Sequence, residues 1–310
     1  MAKGTGMGLG RLYITTANRQ FAGIEGNPKS KYRIIGVPYD STTSFRPGTR
    51  FGPDAVRLAA AGLESNSAFI KDVYLEDLSP LDEGDVAVSI GDTGETLARV
   101  EAVVRELASA GLPVMMGGEH TVTLGALKAL ADRKPCVVMF DAHLDLRNEY
   151  LGLKVGHATF MRRALEQVNI PRLIYIGARA FSREELEFAR SKDNIITIFG
   201  PSDLITLGPI NVASNVLSAL KDCESTYLTV DMDAFDPAYA PGVGNPEPLG
   251  LAPYEGLYLV SRIVDERLIG VDVVEVSPHY DPGGGTAALA AKVLIEAMLK
   301  HYVSRAKASK

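Results

Sequence analysis

The chain lacks any apolar stretch of about 18 residues, the length a membrane-crossing helix requires. Its first residues, Met1 to Ile24, mix Gly, Arg and Thr where a secretory leader would carry an unbroken apolar core. Cysteine is nearly absent: Cys136 and Cys223 are the only two, without metal-motif spacing, and Cys136 falls in an apolar run where a buried free thiol is the usual outcome. A reducing compartment, and so a cytoplasmic location, is the expectation. An excess of basic residues is missing too. With 32 Lys and Arg against 38 Asp and Glu the formal net charge is -6, which argues against a surface that neutralises nucleic-acid or membrane phosphates and favours a cationic small-molecule partner. No repeat, low-complexity segment or composition break marks a linker, so residues 1–310 are read as a single domain.

What is present is concentrated in three places. Asp141, His143 and Asp145 alternate directly after the apolar run Cys136 to Phe140. Met115 to His120 and Leu228 to Asp233 repeat the arrangement, each a strand-like run that ends in His or Asp. Two of the five histidines lie inside these clusters and a third, His157, follows the Asp141 cluster shortly. Buried carboxylates need a cation, an ion pair or water. A metal site, a solvated turn and a structural hydrogen-bond network all meet that need for one cluster alone, whereas three clusters together favour metal. Carboxylates and imidazoles without thiolate suit Mn²⁺, ahead of Zn²⁺, Fe²⁺ or Co²⁺, and their number exceeds what one ion needs.

Eight β-rich runs alternate with helical patterns: Arg33 to Val37, Val73 to Leu75, Pro113 to Met116, Cys136 to Phe140, Leu173 to Ile176, Ile195 to Ile198, Tyr227 to Val230 and Val271 to Val274. They predict an α/β fold with a mainly parallel eight-stranded sheet, helices on both faces, and ligands at the carboxyl ends of the strands. Helices are predicted over Thr96 to Ala110, after the capping box at Ser182, from Pro253, and from about Thr286 to Tyr302 with a frayed basic tail beyond.

The motifs Gly117-Gly118-Glu119-His120-Thr121, Asp141-Ala142-His143-Leu144-Asp145 and Asp231-Met232-Asp233-Ala234-Phe235-Asp236-Pro237, with Ala240 to Pro248 and Val274-Glu275-Val276-Ser277-Pro278, run in one order along the chain. In this order and spacing the chain resembles the ureohydrolase family of arginases and agmatinases over nearly its whole length. The resemblance implies a three-layer α/β/α, arginase-like fold and two Mn²⁺ ions per subunit. His120, Asp141, Asp145 and Asp231 match the ligands of one ion, and Asp141, His143, Asp231 and Asp233 those of the other, so that Asp141 and Asp231 bridge. It further implies that Asp145 handles the proton of the attacking water, that Glu275 binds the guanidinium, and that His157 passes a proton to the departing amine. A trimer or hexamer is the family's common assembly.

On substrate, the loop Leu146 to Gly156 lacks the small hydroxyl and Asn run by which arginases hold an α-carboxylate, and it carries Glu149. With Pro246-Glu247-Pro248 and the loop Arg46 to Pro53, this favours agmatine, hydrolysed to putrescine and urea. N1-aminopropylagmatine is the main alternative, with arginine and guanidinobutyrate behind it. Val243, Asn245 and Leu144 depart from the usual agmatinase pattern at the rim. A single-zinc deacetylase of the same general fold is the more distant reading, and it leaves Glu275 unexplained. Asp40, Ser41 and Arg46 are not assigned to the catalytic set.

Overall fold

Apolar runs rich in Val, Ile, Met and Phe, too short for helices and buried along their whole length, become adjacent parallel strands, because only a sheet covered on both faces buries every residue of such a run. The computed structural model describes residues 8–308. Its strands are β1 (Ile14–Thr15), β2 (Tyr32–Val37), β3 (Leu81–Val86), β4 (Leu112–Gly117), β5 (Cys136–Phe140), β6 (Leu173–Ile176), β7 (Ile196–Phe199), β8 (Thr226–Asp231) and β9 (Leu268–Val274). They form one nine-stranded sheet in the order β1-β3-β2-β4-β9-β8-β5-β6-β7. β1 runs antiparallel to β3, and every other pairing is parallel.

Alternate residues of a strand serve opposite cores. Val138 and Phe140 of β5 join one apolar cluster with the long helix Gly285–Ala308, whereas Val137 and Met139 join another with the helix Thr93–Ala110. The result is three layers with helices on both faces. The sheet order places β4, β9, β8 and β5 side by side at its middle, and all four point their carboxyl ends to the same edge.

Four expectations need correction. The sheet has nine strands, not eight. Val73 to Leu75 is not a strand: Leu75 opens a four-residue helix, Leu75–Leu78, whose preceding Tyr74 N–H is held by the Asp77 carboxylate at 3.0 Å. A run of three apolar-flanked residues carries too little periodicity to tell the two apart. The strand missed there is β3, Leu-Asp-Glu-Gly-Asp-Val, whose acids disguise it. Its buried face is neutralised by Arg57, fully buried, which donates to Asp82 at 2.8 and 3.0 Å and to Asp85 at 2.8 Å. The last helix begins at Gly285 and continues to Ala308, so the basic segment after Tyr302 is helical rather than frayed.

The fourth concerns the cysteines. Cys136 and Cys223 form a disulfide across 87 residues of chain, which local spacing cannot reveal. Parallel pairing of β5 with β8 sets Cys136 opposite Thr226, three residues past Cys223, so the bond staples the amino ends of the two strands. The free-thiol expectation falls, and with it the compartment argument built on it.

Candidate metal centre

The central four strands deliver every ligand candidate. His120 follows β4, Asp141, His143 and Asp145 follow β5, Asp231 ends β8 with Asp233 in the 3-10 turn Met232–Ala234, and Glu275 follows β9. Gly118 lets the first of these turns form. A Cβ there would stand 1.9 Å from the Tyr39 carbonyl oxygen, and its own carbonyl accepts the Glu275 N–H at 2.8 Å. Asp145 and Glu275 hold φ of 52° and 63°, a conformation that costs a non-glycine residue about 1–3 kcal/mol and is tolerated where the surroundings enforce it.

Three of the candidate ligand carboxylates are held by one oxygen. Asp141 Oδ1 accepts the His143 N–H at 2.5 Å, Asp231 Oδ1 the Asp233 N–H at 2.8 Å, and Asp233 Oδ1 the Ala142 N–H at 3.0 Å. The other oxygens converge on the imidazoles. His120 Nδ1 lies 2.9 Å from Asp141 Oδ2, 3.2 Å from Asp231 Oδ2 and 3.6 Å from Asp145 Oδ2. His143 Nδ1 lies 2.9 Å from Asp233 Oδ2 and 3.5 Å from Asp141 Oδ1. Two groups able to hold an ion result, His120-Asp141-Asp145 and Asp141-His143-Asp233, with Asp141 in common. Asp231 is drawn to His120 and falls in neither group at that spacing.

The residues fit a divalent ion. Donors about 2.1 Å from one ion and at right angles stand about 3 Å apart, close to the spacings above. His120 Nδ1 and Asp141 Oδ2 are buried without a hydrogen bond, as atoms meant for a cation would be. The remaining nitrogen of His120 explains why. Thr229 Oγ1 donates to Asp272 Oδ1 at 2.5 Å and therefore accepts from His120 Nε2–H at 2.8 Å. Asp272, fully buried, also takes hydrogen bonds from Thr123 at 2.9 Å and Tyr227 at 2.6 Å. This chain holds the Nε2–H on Thr229 and turns Nδ1 toward the cluster, and the ring lies on Phe160 at 4.4 Å between centroids.

Electrostatically the cluster is short of positive charge. Burial pushes Asp145 well above the usual carboxylate range, with Asp141 adding to it, and burial with Asp233 and Asp141 does the same to Asp231. Burial and the neighbouring Glu119 raise Glu275 to about 8. Burial would lower His120, but the close contact with the Asp141 carboxylate lifts it to about 9. Such a site holds protons until cations replace them.

The structure also brings His157 to this edge. A cavity of about 360 Å³ is lined by His143, Asp145 and His157 together with Ser44, Arg147 and Glu247, among others. Burial, then the charge of His143, pushes His157 down to about 4. Its Nε2 meets Ser44 Oγ at 3.0 Å, and its N–H donates to Thr42 Oγ1 at 3.0 Å. Thr42 in turn donates to Glu119 through Oγ1 at 2.5 Å and N–H at 2.7 Å. Sequence reasoning missed Thr42, Ser44, Glu119, Thr229 and Asp272 as contributors. Glu119 sits beside His120 in its motif and carried a signal, whereas the others are ordinary strand and loop residues. Asp40 faces inward on its own loop, accepting from Gly48 N–H at 2.9 Å and Arg50 Nε at 2.5 Å, and Arg46 stacks on Tyr280 at 5.0 Å. Glu149 is exposed and does not line the cavity.

Comparison with known proteins follows the same line. A family model described as the arginase family matches residues 30–300. An agmatinase of Halalkalibacterium halodurans is 36% identical over 276 residues, covering 87% of this chain and 92% of that protein. An N(1)-aminopropylagmatine ureohydrolase of Thermococcus kodakarensis is 38% identical over 273 residues, covering 86% and 89%. Among solved structures, the agmatine ureohydrolase of Thermoplasma volcanium superposes with a TM-score of 0.84 at 35% identity, covering 95% of this chain and 97% of that one.

Proposed function

Because the chain belongs to the arginase family of metal-dependent ureohydrolases, we propose that it hydrolyses the guanidino group of agmatine to putrescine and urea. The observation that carries this reading is the pair of ligand groups sharing Asp141, with the Glu275 carboxylate anchored beside them by the His120 N–H at 2.8 Å. His120, Asp141, Asp145 and Asp231 would hold one Mn²⁺, and Asp141, His143, Asp231 and Asp233 a second. Bound there, two divalent ions make a water acidic enough to serve as nucleophile near neutral pH.

The protein's own groups supply the rest. Glu275, costly to ionise alone, is paired by a planar guanidinium, whose fork of N–H donors matches a carboxylate. Asp145 accepts the proton of the attacking water. His157, neutral at pH 7 because its affinity for protons is depressed, takes a proton up and passes it to the leaving amine, which departs as a neutral group. The shared-ligand arrangement and Glu275 favour this reading over a single-zinc deacetylase. N1-aminopropylagmatine is kept as a second substrate because the Thermococcus relative bears that name at similar identity; arginine and guanidinobutyrate stand behind it.

Residues 1–310 are taken as one domain, assembled as a trimer or hexamer. Exposed Ile205 and Ile210, on either side of the kink at Gly208, offer apolar surface for such contacts, and light scattering tests it. No helix among the described residues is long and apolar enough to cross a membrane. A cytoplasmic location belongs to the proposal, and the Cys136–Cys223 bond weighs against it.

Urea release from agmatine, N1-aminopropylagmatine, arginine and guanidinobutyrate at equal concentration, with Mn²⁺ present or chelated, tests the reading. Agmatine is expected to react fastest and only with metal; no urea from any of the four would refute the reaction class. Glu275→Gln is expected to keep bound metal yet lose at least about tenfold in kcat/KM, since a charged hydrogen-bonded pair contributes about 1.5–3 kcal/mol. His157→Asn should lower kcat by about 10²–10⁴-fold with metal content unchanged, and an unaltered kcat would remove its role.

A further inference from the structure

The cavity beside the ligand cluster holds charged groups that metal binding leaves unused. Two of them cancel: Arg147 Nε stands 3.5 Å from Glu185 Oε2, and its guanidinium lies 4.8 Å over the Tyr150 ring. Glu185 is further committed, accepting the Ser182 N–H at 2.8 Å in a capping box and the Leu146 N–H at 3.2 Å. Glu247 lines the same cavity, half-buried, and its carboxylate has neither an ion pair nor a hydrogen bond among the described residues.

The Arg179 guanidinium, bound to this loop, does not claim the carboxylate because it is employed elsewhere. Arg179 donates through Nε to the Pro248 carbonyl at 2.8 Å and through Nη2 to the Glu247 carbonyl at 2.7 Å. Its other hydrogen bonds go to the carbonyls of Asp233 at 2.8 Å, Gly177 at 2.9 Å and Ala234 at 3.3 Å. Its donors are therefore consumed by backbone oxygens, and none reaches the Glu247 carboxylate. Arg179 also ties the Glu247 loop rigidly to the Asp233 turn. Pro246 and Pro248 on either side of Glu247 remove further freedom. A fixed carboxylate with no hydrogen bond or ion pair among the described residues thus lines the cavity that His143 and Asp145 share.

We propose that Glu247 is a specificity-determining residue that receives the cationic far end of the substrate, so that the site accepts guanidines with a distal ammonium and rejects those with a distal carboxylate. The proposal rests on the ureohydrolase reading and goes further, naming the substrate class and the group that reads it. Because the distal end takes no part in bond breaking, the contact is the same in ground and transition states. Its loss falls on KM rather than on kcat.

The experiment compares agmatine, butylguanidine and 4-guanidinobutyrate, which share the guanidino group and differ in the charge at the far end, on the Mn²⁺-loaded wild type, Glu247→Gln and Glu247→Lys. Glu247→Gln should lower the ratio of kcat/KM for agmatine over butylguanidine by about 10- to 100-fold through KM. Glu247→Lys should turn the preference toward 4-guanidinobutyrate, a gain that misfolding cannot imitate. An unchanged ratio in Glu247→Gln, or an equal fall for agmatine and butylguanidine, would overturn the proposal while leaving the ureohydrolase reading intact. A wild type that releases urea from none of the three overturns both.

Discussion

At the scale of single residues, the centre is made by what each side chain is prevented from doing. One oxygen of Asp141, Asp231 and Asp233 is tied to a backbone N–H, which leaves the other for the cation. His120 is prevented from turning by Thr229, itself polarised by Asp272. Thr229→Val keeps the shape and removes the acceptor, leaving the Nε2–H without a partner. We expect metal affinity to fall by about 10–100-fold, as for other residues that support a metal ligand; titration calorimetry showing wild-type affinity would sink the idea.

The protons that the cluster's own groups hold give a second prediction at this scale. His120 is lifted to about 9 by Asp141 against the opposing pull of burial, so at pH 6–8 it is protonated and must lose that proton to bind a cation. The sign follows: affinity strengthens as pH rises toward about 9 and weakens as pH falls. Across pH 6–8 the dissociation constant should drop by about a factor of ten per unit for each proton displaced. A pH-independent constant would show that the site binds no such proton.

The candidate ligands could be read from the sequence because His and Asp directly after apolar runs are rare and costly to bury. Thr229 and Asp272 could not, since a threonine and a single acid inside a strand carry no spacing signal; only the parallel pairing that sets Thr229 opposite Asp272 reveals them.

At the scale of elements, the two strands that bear most of the ligands, β5 and β8, are stapled at their amino ends by Cys136–Cys223. Closing a loop of this length restricts the unfolded chain by about 4.6 kcal/mol in the entropic account. Replacing both cysteines with alanine should lower the thermal midpoint accordingly, read by calorimetry with and without reductant, and the double variant should no longer respond to reductant. A wild type whose midpoint ignores reductant under unfolding conditions would mean that the bond contributes nothing. The staple could not be read from local spacing, because it depends on which strands are neighbours. β3 was missed for a related reason: its acids look like a loop until Arg57, from a helix nearly thirty residues earlier, is brought against them. The helices at Thr93, Ser182 and Pro253 were legible because caps and apolar stripes are local.

At the scale of the whole molecule, the chain visits the edges of the sheet and returns to its middle, so that β8 and β9 are inserted between β4 and β5. That order gathers ligands separated by up to 113 residues, His120 to Asp233, at one edge. Alternation of strands and helices predicts a covered parallel sheet but not its order, since hydrophobic period says which residues are buried and not which strands adjoin. The acidic net charge of -6 and the cavity carboxylates agree with a cationic substrate.

The central claim, a two-ion site with Asp141 shared, is tested most directly by counting ions. Protein dialysed against Mn²⁺ near pH 8 and assayed by plasma mass spectrometry should hold two ions per chain, falling to about one in Asp233→Ala and to fewer than one in Asp141→Ala. A wild type that saturates at a single ion per chain would contradict the account.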